Sequence, residues 1–271
     1  MKNIISVDLE DYYCDLPISR WVDFEPRIEK STLFLLDSFK KYNIQATFFV
    51  VGAIAEKFPS LVEKIVSDGH EISSHSYSHS DLRKLSKQDF ELDVDKSVKT
   101  LHHFSKEKVL GFRAPLFSIE KRNIWTIQIL KNFFSYDSSL FPVRTPLYGV
   151  PNGQRFPYHM SESDPFEIDD SQNFLEIPPS TLNLPLYGNL PIAGGFYLRL
   201  FPSFLIKYSI NKLNKQKIPA MLYVHPKDFD DNWPKIPEYS WHYYWNRGTT
   251  KQKFESLLKS FTFTSVREIF F

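Results

Sequence analysis

Short apolar runs alternate along the chain with longer segments in which apolar residues recur at helical spacing. IISVDLE (4–10) reads as a buried strand ending in acid, and ATFFVVG (46–52) as a second strand closed by glycine. HEISSHS (70–76), VLGFRAP (109–115), FFSYDSS (133–139), FLEIPPS (174–180) and AMLYVHP (220–226) continue the series. Between them, Ile28, Leu35, Leu36 and Phe39 mark one helix face. Residues 53–68 place Ile54, Phe58, Leu61 and Ile65 on another and stop at Asp68-Gly69, a helix-ending signal. Ser86 to Asp89 resembles a capping box opening a helix with Leu92, Val94, Val98 and Leu101. Residues 122–134 and 202–215 also read as helices, and a last helix ends at 256–259 before FTFTSV (261–266).

Strands separated by helical segments predict βαβ units and a parallel sheet. Seven such strands in 271 residues fit an α/β barrel or barrel-like fold in one domain, residues 1–271. The proline-rich stretch 142–173 is too long for an ordinary connection and predicts a functional loop region. An aromatic C-terminal loop at about 227–248 is a second candidate.

Composition narrows the picture. Lys and Arg number 33 against 32 Asp and Glu, so the net charge of +1 gives no electrostatic footprint for nucleic acid or an acidic membrane surface. Cys14 is the single cysteine, which excludes an intrachain disulfide and a cysteine-based zinc site. No stretch approaches the roughly 20 apolar residues of a membrane span. The N-terminal apolar run is soon interrupted by acid, unlike a signal peptide, so a cytoplasmic protein is expected.

The chemistry-bearing residues fall at strand ends. Asp8, Glu10 and Asp11 close the first strand, His75 and His79 the third, Arg113 the fourth, Asp137 the fifth and His225 the seventh. In parallel α/β folds these ends share one rim, where active sites are built. Taken singly, each has an ordinary reading: paired surface histidines, a solvated acidic loop, a core histidine bonded to backbone. Together they offer imidazole and carboxylate ligands for a divalent metal. Three neighbouring acids would repel unless a cation lay near, either a metal or Arg113. Arg113 needs an acidic partner, for which Asp8 is the candidate.

The order of these motifs resembles the polysaccharide deacetylases of the NodB type, carbohydrate esterase family four. It runs D-x-E-D, ATFFVVG, HEISSHSYSH, FRAPLFS and VHP. SVDLEDYY (6–13), YDSSLFP (136–142), YGVPNGQRFP (148–157) and GGFYLR (194–199) resemble a subgroup of that family. The resemblance covers nearly the whole chain.

The resemblance implies a distorted (β/α)7 barrel and metal-dependent removal of an N- or O-linked acetyl group from a sugar. By that likeness Asp8 is the catalytic base, Arg113 orients it and holds it ionised, His225 is the general acid, and Asp137 tunes His225. His75 and His79 are metal ligands. The commonest family pattern has two adjacent aspartates, so the third ligand is either Glu10 or Asp11. Tyr12, Pro115, Phe117, Arg155 and Arg199, lying in the matched motifs, are expected to bind substrate. The lysine and aspartate after His225-Pro226 depart from the commoner proline-tryptophan. The cofactor implied is a divalent metal, zinc first, with Co2+, Ni2+, Mn2+ or Fe2+ as alternatives. The partner expected is an acetylated sugar or glycan precursor for surface polysaccharide; oligomeric state stays open. Competing readings are an amidohydrolase of a small non-sugar amide, a carbohydrate-binding protein with an inactive site, and a structural partner protein resting on surface aromatics.

Overall fold

Lys2–Leu9 is buried from Asn3 onward on both faces, as a strand in the middle of a covered parallel sheet must be. This is β1 of a computed structural model that describes residues 1–105, 107–186 and 188–271. The further strands are β2 (Thr47–Val50), β3 (Glu71–Ser74), β4 (Gly111–Phe112), β5 (Tyr136–Asp137), β6 (Tyr158–His159) and β7 (Leu175–Glu176). They are followed by β8 (Thr181–Leu184), β9 (Gly188–Pro191), β10 (Met221–Val224) and β11 (Thr262–Thr264). The main sheet runs β10-β1-β2-β3-β4-β5-β7-β6, with β11 also on β1. Every pairing in it is parallel except β6 with β7.

The seven parallel strands from β10 round to β7 are the seven apolar runs of the sequence. The sheet curls until the chain just past β7 reaches β10: Ser180 N–H donates to Met221 O at 3.0 Å, and Met221 N–H donates to Ser180 Oγ at 2.8 Å. The result is a distorted (β/α)7 barrel. Its two strand faces have different neighbours, following the period of two. Ile4, Phe49, Tyr136, Leu175, Ile177, Met221 and Val266 form the inner core. Ile5, Val7, Leu9, Phe48 and Phe112 belong to the larger layer between strands and helices.

The helices fall where apolar periodicity predicts them, with one division. Residues 53–68 form two helices, Gly52–Lys57 and Pro59–Ser67. Pro59 lacks the N–H that would continue the first helix and suits the first turn of the second. Ser86 caps the helix Lys87–His102 by accepting from Asp89 N–H at 3.1 Å. No apolar periodicity marks β6 or the antiparallel pair β8–β9. Among the described residues no helix is long and apolar enough to cross a membrane.

Candidate active site

Strand alternation decides which acids meet. On β1, Ile4, Ser6 and Asp8 point into the barrel, so Asp8 ends the inward column at the rim. Arg113, the residue after β4, points inward opposite it and is fully buried. Its Nη1 donates to Asp8 Oδ1 at 2.6 Å and to Ser6 Oγ at 3.0 Å, and its Nε donates to Ser138 O at 3.1 Å. The guanidinium also lies 4.1 Å from the Phe49 ring. Four directions of contact fix Arg113, which in turn occupies one oxygen of Asp8. The other, Asp8 Oδ2, lies 3.8 Å from His225 Nε2.

Glu10 follows immediately beyond β1. Its N–H donates to Asp8 O at 2.9 Å, a tight turn at the strand end. Glu10 Oε2 contacts His79 Nε2 and lies 3.8 Å from His75 Nε2. The ligand atoms of Glu10, His75 and His79 all lie within 4.8 Å of one another, and all three residues are buried.

The histidines are oriented from behind. His75 Nδ1–H donates to Arg113 O at 2.7 Å, and His79 Nδ1–H donates to Cys14 O at 2.9 Å. Each Nε2 is thereby turned to Glu10, the tautomer a metal ligand requires. The loop between them is not helical: Ser76 and His79 have φ of 62° and 54°. Non-glycine residues in this left-handed region need outside support. It comes from Asp93, which accepts from the Tyr77 and Ser78 N–H groups at 2.7 and 3.0 Å, and from Ser76 Oγ, which accepts from His79 N–H at 3.0 Å. The donor set therefore fits a divalent cation: two imidazole nitrogens and a carboxylate, buried and pre-oriented.

Charge around Glu10 is arranged to match. Burial opposes its ionisation, but Lys227, then His79 and His225, outweigh burial and hold Glu10 well below the usual carboxylate range. Lys227 Nζ lies 2.6 Å from Glu10 Oε1 and 3.2 Å from Asp15 Oδ2. Burial pushes His75 down to about 4, only partly offset by Asp8. His79 is raised, because Glu10 overcomes the opposing effect of burial.

His225 follows β10, whose inward residues are Met221 and Tyr223. Its Nδ1–H donates to Asp228 Oδ2 at 2.9 Å, which leaves Nε2 facing Asp8 and Glu10. Burial works against protonation of His225, but Asp228 and then Glu10 raise its pKa above the usual value. Asp228 is itself ion-paired with Arg199 and accepts from His225 N–H at 2.9 Å. A Cβ on Gly195 would overlap the Asp228 carboxylate, so only glycine admits this approach.

Above these groups lies a cavity of about 480 Å³. Asp8, Glu10, His75, His79 and His225 form its floor, and Phe117, Tyr148, Trp233, Tyr239 and Tyr243 are among its walls. Both loop regions singled out from the sequence thus contribute, Tyr148 from 142–173 and the other late aromatics from 227–248.

Several expected residues lie elsewhere. Asp11 turns away from the histidines: its carboxylate accepts from the N–H groups of Tyr12, Arg27 and Ile28 at 2.8, 2.8 and 3.1 Å, tying down the start of the helix Ile28–Lys41. Glu10 is the acid that meets the histidines. Asp137 does not reach His225. Tyr136 points into the barrel, so Asp137 points out, where it accepts from Ser139 Oγ at 2.6 Å and shares a buried pocket with Glu176. The acid that holds His225 is Asp228.

Of the expected substrate residues, Phe117 and Arg199 line the cavity, although Arg199 is committed to Asp228. Tyr12 is buried beneath it, stacked on Trp233 at 5.4 Å. Pro115 lies in the buried turn after β4. Arg155 braces β8, its Nε and Nη2 donating to Thr181 at 3.1 and 3.0 Å. Asp15 and Asp93 carry no sequence signal, and Lys227 and Asp228 stand out in the sequence only as a departure from the family pattern, with no role attached. An acid three residues beyond His225 was the one available signal.

The polysaccharide deacetylase family model matches residues 21–132, and that of a domain of unknown function matches residues 138–271. The first match includes His75, His79 and Arg113; the second includes His225, Lys227, Asp228 and most of the cavity wall. The chain is 36% identical over 84 residues to a peptidoglycan-N-acetylglucosamine deacetylase of Bacillus cereus, covering 31% of this chain and 28% of that protein. It is 28% identical over 211 residues to a peptidoglycan deacetylase of Helicobacter pylori, covering 77% of this chain and 64% of that protein. The chain thus spans less than two thirds of the length of these relatives. A solved structure from Mycobacterium smegmatis, assigned to the polysaccharide deacetylases, superposes with a TM-score of 0.63 at 17% identity, covering 99% of this chain and 90% of that one.

Proposed function

We propose that the chain is a polysaccharide deacetylase, the family whose model matches residues 21–132, and that it acts as a metal-dependent hydrolase removing an acetyl group from an N-acetylated or O-acetylated sugar. The relatives are named for peptidoglycan, which supports reading the sugar as part of a surface glycan or its precursor.

His75, His79 and Glu10 would hold the cation. When bound, a divalent ion such as zinc supplies Lewis acidity, which polarises a carbonyl and brings water's pKa from 15.7 toward about 7. The remaining chemistry belongs to the protein. Asp8 has one oxygen committed to Arg113 and one, Oδ2, open to the cavity floor, where it accepts the proton of the attacking water. His225 has Nδ1 committed to Asp228, so its Nε2 carries the proton delivered to the departing amine or alcohol. Without that proton the leaving group would be a strongly basic anion. Arg113 and Asp228 are positioning residues: each fixes the orientation of the group that moves a proton.

The observation that carries this reading is the approach of Asp8 Oδ2 to within 3.8 Å of His225 Nε2 beside the Glu10–His75–His79 cluster. A base and an acid, each held by its own partner, flank one set of ligands. Incubating the zinc-supplemented protein with a panel of acetylated sugars and small non-sugar amides, and assaying acetate and free amine, tests it. Acetate from the sugars alone is expected. Turnover confined to the small amides, or activity indifferent to a chelator, would overturn it.

A further inference from the structure

Two tryptophans beside the cavity stay largely open to solvent among the described residues. Trp241 is 65% exposed and Trp245 50% exposed. Ser240, His242 and Tyr243, which flank Trp241 in sequence, line the cavity. So does Phe196, whose ring meets Trp241 edge-on at 6.1 Å and 74°. Trp241 and Trp245 stand at 89° with centroids 5.8 Å apart, a perpendicular pair that touches along little of its surface. The cavity wall therefore continues outward through Phe196 into two open indoles.

We propose that Trp241 and Trp245 form a stacking platform for sugar units next to the one being deacetylated, so that these two indoles set the preference for a chain over a single sugar. This rests on the deacetylase reading of the site and specifies its substrate. Pyranose rings present flat C–H faces that suit an indole, while their hydroxyls suit a polar surround; Ser240, His242 and Asn246 provide one here. Exposed aromatic patches with polar rims mark binding surfaces, and tryptophan dominates their energetics. A second copy of the chain is a poorer occupant. Two aromatic side chains bury at most about 500 Å², short of the roughly 800 Å² per partner of a stable interface.

Both indoles are exposed, so Trp241→Ala, Trp245→Ala and the double variant should keep the fold, which thermal melting verifies. Acetate release is then compared on N-acetylglucosamine and on its pentamer. In the double variant kcat/KM for the pentamer should fall at least about tenfold more than for the monosaccharide. Equal falls, or no fall, would overturn the platform. A parallel titration of indole fluorescence with the pentamer reads binding without turnover. Quenching in the wild type that is lost in the double variant supports the platform even if no acetylated sugar is hydrolysed, in which case the deacetylase reading fails by itself. Absence of quenching overturns the platform whatever the activity, as does a wild-type dimer that the double variant dissolves.

Discussion

The ammonium of Lys227 sits 2.6 Å from Oε1 of Glu10, on the carboxylate whose other oxygen faces His79 and His75. Lys227 is held there by two acids: burial disfavours its charge, but Asp15 and Glu10 outweigh that and raise its pKa well above the usual value. A cation at the histidines would feel this positive charge as a near neighbour. Lys227→Met should therefore bind zinc more tightly than wild type, by calorimetry or chelator competition. The same variant leaves Glu10 and Asp15 without their counter-charge. Its metal-free form should lose about 3–5 kcal/mol, the usual cost of removing one partner from a buried ion pair. Zinc affinity that is unchanged or weaker would show that Lys227 does not oppose the cation.

Glu10 and Asp11 are adjacent and should behave differently. Glu10→Ala should lose bound zinc after dialysis. Asp11→Ala should retain it while losing about 1 kcal/mol of stability, the usual cost of a lost helix-start contact. Metal analysis and thermal melts on the two variants separate these outcomes. Loss of zinc from Asp11→Ala alone would reverse the assignment.

Asp228 raises the pKa of His225, and His225 serves as an acid only while protonated. Activity should decline as pH rises through that raised value. Asp228→Asn removes the largest favourable influence, so the alkaline limb of the kcat/KM profile should move to lower pH. His225→Ala should cost about 10²–10⁴-fold in rate. An alkaline limb that stays in place in Asp228→Asn would contradict the role of Asp228.

Asp137 and Glu176 form a buried acidic pair away from the cavity. Burial, partly offset by Ser139 and Glu176, raises Asp137 to about 6; burial and then Asp137 raise Glu176 well above its usual value. The folded protein thus keeps protons that the unfolded chain releases. The stability held by this pair is complete below the ordinary carboxylate range and is lost as pH rises through the raised values. Glu176→Gln should flatten that loss, so its melting temperature should gain on wild type between pH 4 and 7. A constant difference across that range would refute the linkage.

The seven barrel strands were legible because each is a short run buried on both faces, and their ends located most of the site. Parity was not legible from strand ends alone. Asp8 and Arg113 face inward, while Asp137, one residue past the inward Tyr136, faces out. The choice between Glu10 and Asp11 depended on where β1 stops, and the turn after Leu9 settles it: Glu10 stays toward the histidines and Asp11 is drawn to the helix starting at Ile28. Two-residue β6 and the β8–β9 pair leave no periodic signal. Asp93 and Asp15 act across long sequence separations, holding the His75–His79 loop and Lys227, and nothing near them in sequence announces it.

The most direct test of the account is acetate release from an N-acetylglucosamine oligomer by the zinc-supplemented wild type and by Asp8→Asn. The wild type should liberate acetate and free amine in equal amounts, and Asp8→Asn should be slower by at least about 10²-fold while still binding zinc. Wild-type turnover by Asp8→Asn, or no acetate from any acetylated sugar, would contradict it.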